Sequence, residues 1–478
     1  MRKTKIICTI GPASESEDII RQMISAGMNV ARLNFSHGSH EEHAKKIAII
    51  KKLREEMNVP VAILADTKGI EIRIGTFENG SVKVKAGDKF TFTTRNIVGN
   101  EAIVSVNYDK LCETLKVGNR ILVDDGLCEF RVLKVTDEDV ECEVVNGDVI
   151  SDKKGVNLPA TKLDVPYMSE ADKRDIAFAV EHDVDFLALS FVRCADDVNV
   201  IRDFVSSLDR TDIKLIAKIE NAEGIGSVEE IIAAADGVMV ARGDMGVEIP
   251  FEELPYIQKE IISACYSAGK IVITATQMLE SMIIHPRPTR AEITDVANAV
   301  YDGTSAVMLS GETAVGKYPV KAIETMVKIA ESTEATINYK KDMDEHFLFS
   351  GAKVNTTNAI SHSACATAHT LAAKAIIAVT ISGSTARKIS RFRPETTIIA
   401  VTPYKKSYYQ LGMSWGVFPI LSTYLENPDG LVKQAVELSV TEKRTKEGDL
   451  VVVTGSTNYS VGEINSIQVY VIGKSFST

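Results

Sequence analysis

Short runs of apolar, mostly β-branched residues alternate with longer amphipathic segments along the first two thirds of the chain. A run of roughly four to eight apolar residues predicts a buried strand, and apolar residues at the helical period predict a helix between strands. Strands are predicted at 5–10, 29–33, 61–65, 186–189, 214–219, 237–241, 271–274 and 306–309. The clearest helices are predicted at 16–26, 39–57 and 169–181. Eight such units predict an α/β fold, a (β/α)₈ TIM barrel, whose chemistry belongs at the carboxyl ends of its strands.

The pattern changes in two other parts of the chain. Between 69 and 164, glycines separate short alternating runs, which predicts an inserted small β-barrel or sandwich that can close over the barrel mouth as a lid. Asp125-Gly126 and Asn146-Gly147 in this insertion are hairpin-turn dipeptides. The polar stretch 339–353 predicts a linker, and 354–478 predicts a C-terminal α/β domain with an open sheet. The barrel then comprises 1–68 and 165–338.

Composition and charge exclude several classes of protein. The formal net charge of −11 disfavours a nucleic-acid-binding surface, so local basic residues must recruit any anionic substrate. Seven scattered cysteines without a Cys-x-x-Cys pair are typical of reduced thiols and give no zinc site. The first apolar run is too short for a signal peptide, and no run is long enough to span a membrane. These features predict a cytoplasmic protein.

Acidic and basic residues follow the fifth and sixth predicted strands. Lys218 and Glu220 share one face of the fifth strand by its two-residue period, and Asp244 follows the sixth. Two carboxylates beside a lysine suit a Mg²⁺ ion and an anionic substrate, whereas the simpler interpretation is a salt bridge of these carboxylates to Lys218 or Arg242. Gly243 favours the functional interpretation, because it leaves room for backbone N–H groups near an anion.

Further polar residues stand at other strand ends. Lys218 is the candidate for stabilising negative charge on a transferring phosphoryl group or an enolate, and Arg32 for holding phosphate oxygens. Arg73 and Lys153, at the two ends of the insertion, are candidates for contacting nucleotide phosphates, with His37 a weaker one. Exposed basic residues near a hinge are also commonly just solvated.

An oxygen-only cluster follows the second and third strands. Asn34, Ser36, Asp66 and the carbonyl of Thr67 carry one charge together, which suits a monovalent cation better than a divalent one. Asn and Asp near strand ends also commonly make turns.

In the third domain, Ser382, Ser384 and Thr385 follow a predicted strand and open a helix. This arrangement can present donors to the phosphate of an effector, although a Ser/Thr helix cap explains the same pattern.

Six sequence stretches resemble the pyruvate kinase family. They are Lys5-Ile-Ile-Cys-Thr-Ile-Gly-Pro-Ala-Ser14, Ala31-Arg-Leu-Asn-Phe-Ser-His-Gly38, Asp66-Thr-Lys-Gly-Ile-Glu-Ile-Arg73, Lys218-Ile-Glu-Asn221, Met239-Val-Ala-Arg-Gly-Asp244 and Thr274-Ala-Thr-Gln-Met-Leu-Glu280. Residues 287–314 resemble the family too. Long matches in the family's order are far more specific than a single short motif.

The resemblance implies transfer of a phosphoryl group from phosphoenolpyruvate to ADP, giving pyruvate and ATP at the last step of glycolysis. It implies Mg²⁺ on Glu220 and Asp244, and K⁺ on Asn34, Ser36, Asp66 and Thr67. It assigns substrate binding to Arg32, Lys218, Gly243, Asp244 and Thr276, and nucleotide binding to Asn34, His37, Arg73 and Lys153. It assigns transition-state stabilisation to Lys218, and proton delivery to the region of Thr276 and Ser310. Family members with Glu at the position of Glu71 resemble the potassium-dependent ones.

The resemblance also implies a homotetramer, possible control by a phosphorylated effector, and no appended phosphohistidine-type domain. Three departures from the family pattern stand out. Ile70 replaces a usual Pro at the lid entry, Ser305 replaces a usual Asp before the eighth strand, and 454–458 lacks the residues of a sugar-bisphosphate loop.

Two other functions use some of the same residues. A barrel lyase acting on a pyruvate-like enolate would need the carboxylates and Mg²⁺, but neither the lid nor Arg73 and Lys153. A catalytically silent metabolite sensor would need only the Ser382 loop, and the intact set of Lys218, Glu220 and Asp244 disfavours it.

Overall fold

A computed structural model describes residues 1–159, 161–341, 343, 355–423, 428–456 and 464–474. Eight parallel strands form a closed barrel in which the eighth strand pairs with the first. The barrel strands are Lys5–Thr9, Val30–Asn34, Ala62–Asp66, Phe186–Leu189, Lys214–Ile219, Gly237–Ala241, Ile271–Ala275 and Ala306–Leu309. The predicted TIM barrel is therefore confirmed, and the strand ends differ from the prediction by at most one residue.

Helices surround the barrel and begin where side-chain caps predict. Ser39 and Ser169 each accept a hydrogen bond from the backbone three residues on, while the carboxylate at that position bonds back to the cap. The longer helices of the barrel are Glu17–Ala26, His40–Glu56, Glu170–Glu181, Ala195–Ser207, Leu254–Ala268, Arg290–Tyr301 and Pro319–Glu334. Shorter ones are Ala222–Gly226, Val228–Ala234, Arg242–Glu248 and Gly311–Ala314, with 3₁₀ turns at Phe251–Glu253 and Glu280–Ile283.

The barrel has two apolar layers because alternate residues of each strand face opposite ways. Ile7 packs inside the barrel, whereas Ile6 and Cys8 pack against the surrounding helices. This alternation leaves the last residues of the strands, beyond the packed layers, free to build a site at the mouth.

The insertion between the third and fourth barrel strands is β-rich, as predicted. Its strands are Ser81–Lys83, Lys89–Thr93, Ile103–Ser105, Arg120–Val123, Cys128–Val135, Asp139–Asn146, Val149–Ser151 and Val156–Asn157, with one helical turn at Leu111–Thr114. Six of them form one sheet, and the other two pair with each other. Three phenylalanines, Phe90, Phe92 and Phe130, pack edge-to-face or tilted at its centre.

One of the two hairpin predictions in the insertion is wrong. Asp125-Gly126 does connect two paired antiparallel strands. Asn146-Gly147 does not make a hairpin, because Val149–Ser151 pairs with Ser81–Lys83 instead of with the strand that precedes it. The chain there crosses from the large sheet to the small one.

The C-terminal domain is an open five-stranded sheet with helices on it. Its strands are Ala375–Val379, Thr397–Thr402, Val417–Leu421, Leu450–Gly455 and Ser466–Val471, and the last one is an antiparallel edge. Its helices are Thr356–Thr370, Ser384–Ser390, Lys405–Leu411 and Pro428–Thr441. Most of the predicted linker lies outside the described residues, as do Thr457 and Asn458 of the shortened loop. None of the helices in the described ranges has the length and hydropathy needed to cross a bilayer.

Candidate active site

Lys218 lies at the centre of a charged cluster at the barrel mouth. Its Nζ is 2.9 Å from Oε1 of Glu220 and 3.3 Å from Oδ1 of Asp66, and it donates a 2.8 Å hydrogen bond to Oγ of Ser190. Lys218 is 9% exposed and both carboxylates are 1% exposed. The ends of the third, fourth and fifth strands thus meet around one buried ammonium group.

These neighbours determine the charge of each group. Burial opposes the charged form of Lys218, but Asp66 and Glu220 outweigh it and raise the pKa of the ammonium above its ordinary value. Burial likewise opposes the charge of Asp66, yet Lys218 and Arg32 hold the pKa of that carboxyl below its usual range. The pKa of Glu220 shifts in the opposite direction from that of Asp66. Burial and the nearby Asp244 outweigh the effect of Lys218 and raise the pKa of Glu220 to about 7.

Arg32 joins this cluster from the second strand. Its Nε donates to Oδ2 of Asp66 at 2.6 Å, and its NH1 group donates to Oγ1 of Thr9 at 2.9 Å. Arg32 is 9% exposed. A guanidinium held in this way is pre-oriented beside Lys218, so the site offers two fixed cations to one anionic group.

Glu220 and Asp244 have the chemistry of a magnesium site. The backbone N–H of Phe191 donates to Oε2 of Glu220 at 2.6 Å. Phe191 has a left-handed backbone conformation, with φ of 55°, which directs this N–H toward the carboxylate. Asp244 has no ion-pair partner within 4 Å among the described residues, since Arg242 pairs with Asp295 at 2.6 Å instead. The salt-bridge alternative therefore holds for Glu220 with Lys218 but not for Asp244 with Arg242.

The fit to Mg²⁺ depends on how many protein ligands are present. In the described ranges no three His, Cys, Asp or Glu side chains come together as a metal-binding group. Mg²⁺ is commonly held by one or two carboxylates, with water and substrate oxygens completing its octahedron. Burial first, and the charge of Asp244 second, raise the pKa of Glu220, and a bound cation would favour the charged form of both carboxylates.

Gly243 and Thr276 lie against each other at the ends of neighbouring strands. The N–H of Gly243 donates to Oγ1 of Thr276 at 2.8 Å, and Thr276 has φ of 69°. Arg242 fixes this pair by donating to the carbonyl oxygen of Thr276 at 2.6 Å. The N–H of Gly243 is therefore hydrogen-bonded to the side chain of Thr276.

The oxygen cluster predicted for K⁺ assembles in part. Asn34 and Asp66 are direct neighbours in the parallel pairing of the second and third strands. Oδ1 of Asn34 accepts a hydrogen bond from the N–H of Ser36 at 3.1 Å, and the carbonyl of Thr67 accepts one from Ser190 at 2.7 Å. Ser36 is exposed. Asp66 also accepts a hydrogen bond from Arg32, so this cluster adjoins Arg32 at the mouth.

The basic residues of the insertion lie at its junction with the barrel. Arg73 pairs with Glu71, and its NH1 group donates to the carbonyl oxygen of Lys153 at 2.5 Å. This contact joins the two connections between the insertion and the barrel. Arg73 also pairs with Gly155 in an isolated β-bridge. His37 is exposed on the loop after the second strand, where its carbonyl oxygen accepts a hydrogen bond from the ring of His43.

Ser310 directly follows the eighth strand. Its N–H donates to Oε2 of Glu312 at 2.7 Å, and its buried Oγ has no hydrogen-bond partner among the described residues. An unpaired buried hydroxyl at the mouth is available to a water molecule or a substrate.

A cleft separates the insertion from the barrel mouth. It has a volume of about 410 Å³, and both Asp125 of the insertion and Asp244 of the barrel line it. Asn157 of the insertion donates to Oε1 of Glu248 in the barrel at 3.0 Å, so the insertion covers the mouth. The cleft is large enough for a small organic phosphate or a nucleotide.

The predicted effector loop belongs to a different part of the molecule. Ser382 is exposed, Gly383 has φ of 80°, and Ser384 begins the helix Ser384–Ser390 with Thr385 in its first turn. Arg387 donates to the carbonyl oxygen of Ser382 at 2.9 Å. These residues are in the C-terminal sheet domain.

Two residues of this site were not predicted from the sequence. Ser190 contacts Lys218, Asp66 and the carbonyl of Thr67, and its position directly after the fourth strand was the available signal. Asp295 orients Arg242 from a helix distant in sequence, and no local pattern marks it.

The fold and the mouth define an enzyme of the (β/α)₈ barrel class with a covering β-domain. Family models described as the pyruvate kinase barrel domain and the pyruvate kinase alpha/beta domain match residues 1–323 and 358–470. The chain belongs to the pyruvate kinase family, a family of phosphotransferases, which confirms the resemblance.

Individual relatives agree over nearly the whole chain. A pyruvate kinase of Staphylococcus aureus (strain MRSA252) is 47% identical over 99% of this chain and 81% of its own length. One of Clostridium acetobutylicum is 46% identical over 99% of this chain and 100% of its own length. The crystal structure of a pyruvate kinase from Cryptosporidium parvum has a TM-score of 0.93 and 39% identity, covering 98% of this chain and 96% of that one.

Proposed function

We propose that this chain transfers the phosphoryl group of phosphoenolpyruvate to ADP. The bond between the enol oxygen and phosphorus breaks, a bond forms between phosphorus and a terminal oxygen of ADP, and the remaining enolate takes a proton at carbon to become pyruvate. The observation that carries the proposal is the ammonium of Lys218, fixed within 3.3 Å of Asp66 and Glu220 at the mouth.

The proposed roles rest on contacts in this cluster and at the junction of the barrel with the insertion. Arg32 would bind the substrate phosphate, and Lys218 would stabilise charge on the transferring group and on the enolate. Gly243, Asp244 and Thr276 would bind the substrate. Arg73, Lys153, His37 and Asn34 would hold the nucleotide as the lid closes, which the junction between Arg73 and Lys153 supports.

Mg²⁺ would be held by Glu220 and Asp244, and K⁺ by Asn34, Ser36, Asp66 and the carbonyl of Thr67. When bound, these cations supply positive charge against the phosphate and enolate oxygens. Thr276 and Ser310 would position the water that delivers the proton, since the buried hydroxyl of Ser310 has no partner among the described residues.

The assembly is proposed to be a cytoplasmic homotetramer with contacts through the barrel and the C-terminal domain. Large apolar side chains are exposed on the barrel between its sixth and eighth strands: Phe251, Tyr256, Ile284, Ile293 and Tyr301. The edge strand Ser466–Val471 also exposes Val469, and an open edge can pair with another copy. Sedimentation velocity is expected to give the mass of four chains; a monomer would contradict this part of the proposal.

A phosphorylated effector at Ser382, Ser384 and Thr385 remains a prediction of the same proposal. Activation curves with candidate sugar phosphates test it, and unchanged kinetics with all of them would contradict it.

The reaction itself is tested by omitting the nucleotide. With Mg²⁺ and K⁺ present, pyruvate should form from phosphoenolpyruvate only when ADP is added, with one ATP made for each pyruvate. If phosphoenolpyruvate is consumed equally fast without ADP, the transferase proposal fails and a lyase or phosphatase reaction takes its place.

A further inference from the structure

Glu312 is a buried carboxylate to which the proposed reaction gives no role. It lies in the short helix Gly311–Ala314, just after the eighth barrel strand, and 0% of its surface is exposed. Burying an ionised carboxylate is costly, and such groups are usually paired with a cation. The strongest influences on the charge of Glu312 are burial, backbone N–H groups and another carboxylate, Glu292, rather than a cation. Its burial therefore needs an explanation other than an ion pair.

The two oxygens of Glu312 bind two different loops at the barrel mouth. Oε1 accepts a hydrogen bond from the backbone N–H of Leu279 at 2.9 Å, and Oε2 accepts one from the N–H of Ser310 at 2.7 Å. Leu279 belongs to the loop after the seventh strand, and Ser310 directly follows the eighth. The ionised form suits both bonds, because a proton on either oxygen would compete with an N–H donor. Glu312 thus joins the ends of two neighbouring strands in its charged form.

The loop after the seventh strand has a strained backbone. Thr276 and Gln277 are consecutive residues with φ of 69° and 53°, in the left-handed region that favours glycine. Backbone strain of this kind persists only where the surrounding structure imposes it, and it is concentrated at functional sites. The contacts that hold this pair are therefore part of the construction of the site.

The strained pair is held on both sides. Before it, Arg242 donates to the carbonyl oxygen of Thr276 at 2.6 Å, and the N–H of Gly243 donates to Oγ1 of Thr276 at 2.8 Å. After it, Leu279 is bound by Glu312. Since Glu312 also binds the end of the eighth strand, it determines where Thr276 lies relative to that end.

We propose that Glu312 is a positioning residue for protonation of the enolate. It aligns the hydroxyl groups of Thr276 and Ser310 with each other, and through them the water that delivers the proton. The inference rests on the proposed function, which gives proton delivery to these two residues. Glu312 does not touch the substrate itself, because both of its oxygens are bound to backbone N–H groups and none of its surface is exposed.

The step that Glu312 supports is separate from phosphoryl transfer. The methylene carbon of the enolate takes a proton from the aligned water, the enolate C–O bond becomes a carbonyl, and the hydroxide left behind regains a proton from solvent. The phosphoryl group, in contrast, meets Arg32 and Lys218 on the second and fifth strands. Loss of the Glu312 contacts should therefore affect protonation more than phosphoryl transfer.

Exchange of the methyl protons of pyruvate measures the proton step by itself. Enolisation on the enzyme in D₂O, with Mg²⁺, K⁺ and ATP present, replaces these protons by deuterium, and proton NMR follows the loss of their signal. Phosphoryl transfer is measured separately, as ATP formation in a single turnover of phosphoenolpyruvate and ADP. Both rates come from folded molecules only, so their ratio does not depend on the fraction of the protein that has folded.

Glu312→Gln is expected to slow the exchange at least about tenfold, because its amide turns a donor toward one of the two N–H groups and misaligns the hydroxyls. ATP formation should slow by less than about threefold, since Lys218 and Arg32 keep their contacts. Equal slowing of the two rates would overturn the proposal.

Glu292→Gln is the matched control, because Glu292 is a nearby carboxylate that also binds backbone N–H groups. It accepts from Ser281 at 2.6 Å and from Thr289 at 2.7 Å, and it completes the cap of the helix Arg290–Tyr301. Its substitution should lower the thermal stability and leave the ratio of exchange to ATP formation at the wild-type value. If it changes that ratio as much as Glu312→Gln does, the effect is a general loosening of the mouth and the proposal falls.

A second variant keeps the test decisive if Glu312→Gln does not fold. Glu312→Asp keeps the charge, but its shorter side chain cannot reach both N–H groups, so it should also lower the ratio of exchange to ATP formation. An unchanged ratio in this variant would overturn the proposal. A wild type that makes no pyruvate from phosphoenolpyruvate and ADP would instead overturn the proposed function on which the inference rests.

Discussion

At the scale of single residues, the role of Lys218 follows from its neighbours. Its ammonium is buried between Asp66 and Glu220 and is held charged by them, with Arg32 on the other side of Asp66. A fixed charge in a site of low dielectric stabilises developing negative charge more than a mobile, solvated one does. Lys218 is therefore the residue whose removal should affect the chemical step most.

Lys218→Met should lower kcat by about two to three orders of magnitude, since loss of one preorganised donor costs about 3 to 4 kcal/mol in the transition state. The KM for phosphoenolpyruvate should change little. Steady-state kinetics measure both. Lys214→Met is the matched control, because Lys214 begins the same strand and pairs with Asp236 at the opposite end of the barrel. A variant of Lys218 with normal turnover and reduced thermal stability would show a structural role only.

Glu71→Lys should relieve the requirement for K⁺, because an ammonium near the oxygen cluster would replace the charge of the ion. In the wild type, Glu71 pairs with Arg73 and lies 3.6 Å from Nζ of Lys68. The measurement is activity against K⁺ concentration, with an inert cation keeping the ionic strength constant. Glu78→Lys, an exposed change of the same charge in the insertion, should keep the wild-type curve. An unchanged K⁺ curve in Glu71→Lys would count against the monovalent site.

At the scale of strands and helices, the sequence predicted where the barrel strands end. It predicted only some of the side-chain contacts between neighbouring strand ends. The two-residue period placed Lys218 and Glu220 on one face, and their ion pair agrees with that. The contacts of Ser190 depend on how the third, fourth and fifth strands are aligned, which is a property of the closed barrel. The hairpin predicted at Asn146-Gly147 was wrong for a similar reason. A turn dipeptide indicates that the chain reverses, but it does not indicate which strand the next one pairs with.

The insertion is a second element whose position matters for function. Asn157 of the insertion donates a hydrogen bond to Glu248 of the barrel, and this bond holds the insertion over the mouth. Asn157→Ala should therefore raise the KM for ADP by about fivefold, since a hydrogen bond of this kind contributes about 1 kcal/mol to closure. Asn146→Ala is the control, because Asn146 contacts only the insertion in the described structure. Equal effects of the two substitutions would show that closure does not depend on this contact.

At the scale of the whole molecule, a buried lysine of the barrel contacts the C-terminal domain. Nζ of Lys5, at the start of the first barrel strand, donates to the carbonyl oxygen of Val417 at 2.7 Å, and burial lowers the pKa of Lys5 to about 7. Between pH 7 and pH 10 the unfolded chain keeps a proton that the folded chain has lost. Unfolding then takes up a proton, so the free energy of unfolding should rise with pH in that window.

Lys5→Met should flatten this rise, which for one group is at most about 1.4 kcal/mol per pH unit. Chemical denaturation of both proteins at several pH values measures it. The variant should exceed the wild type in stability near pH 7 by more than near pH 10. A difference that is constant across the window would mean that Lys5 keeps its proton in the folded chain.

The proposed reaction depends on Glu220 and Asp244 sharing one divalent cation at the mouth. Electron paramagnetic resonance of Mn²⁺, used in place of Mg²⁺, measures this directly in the wild type and in Glu220→Gln and Asp244→Asn. The wild type should bind one Mn²⁺ per chain at this site, and each substitution should weaken that binding at least tenfold while leaving the fold intact by circular dichroism. If either variant binds Mn²⁺ as tightly as the wild type, the two carboxylates do not form the metal site and the account is wrong.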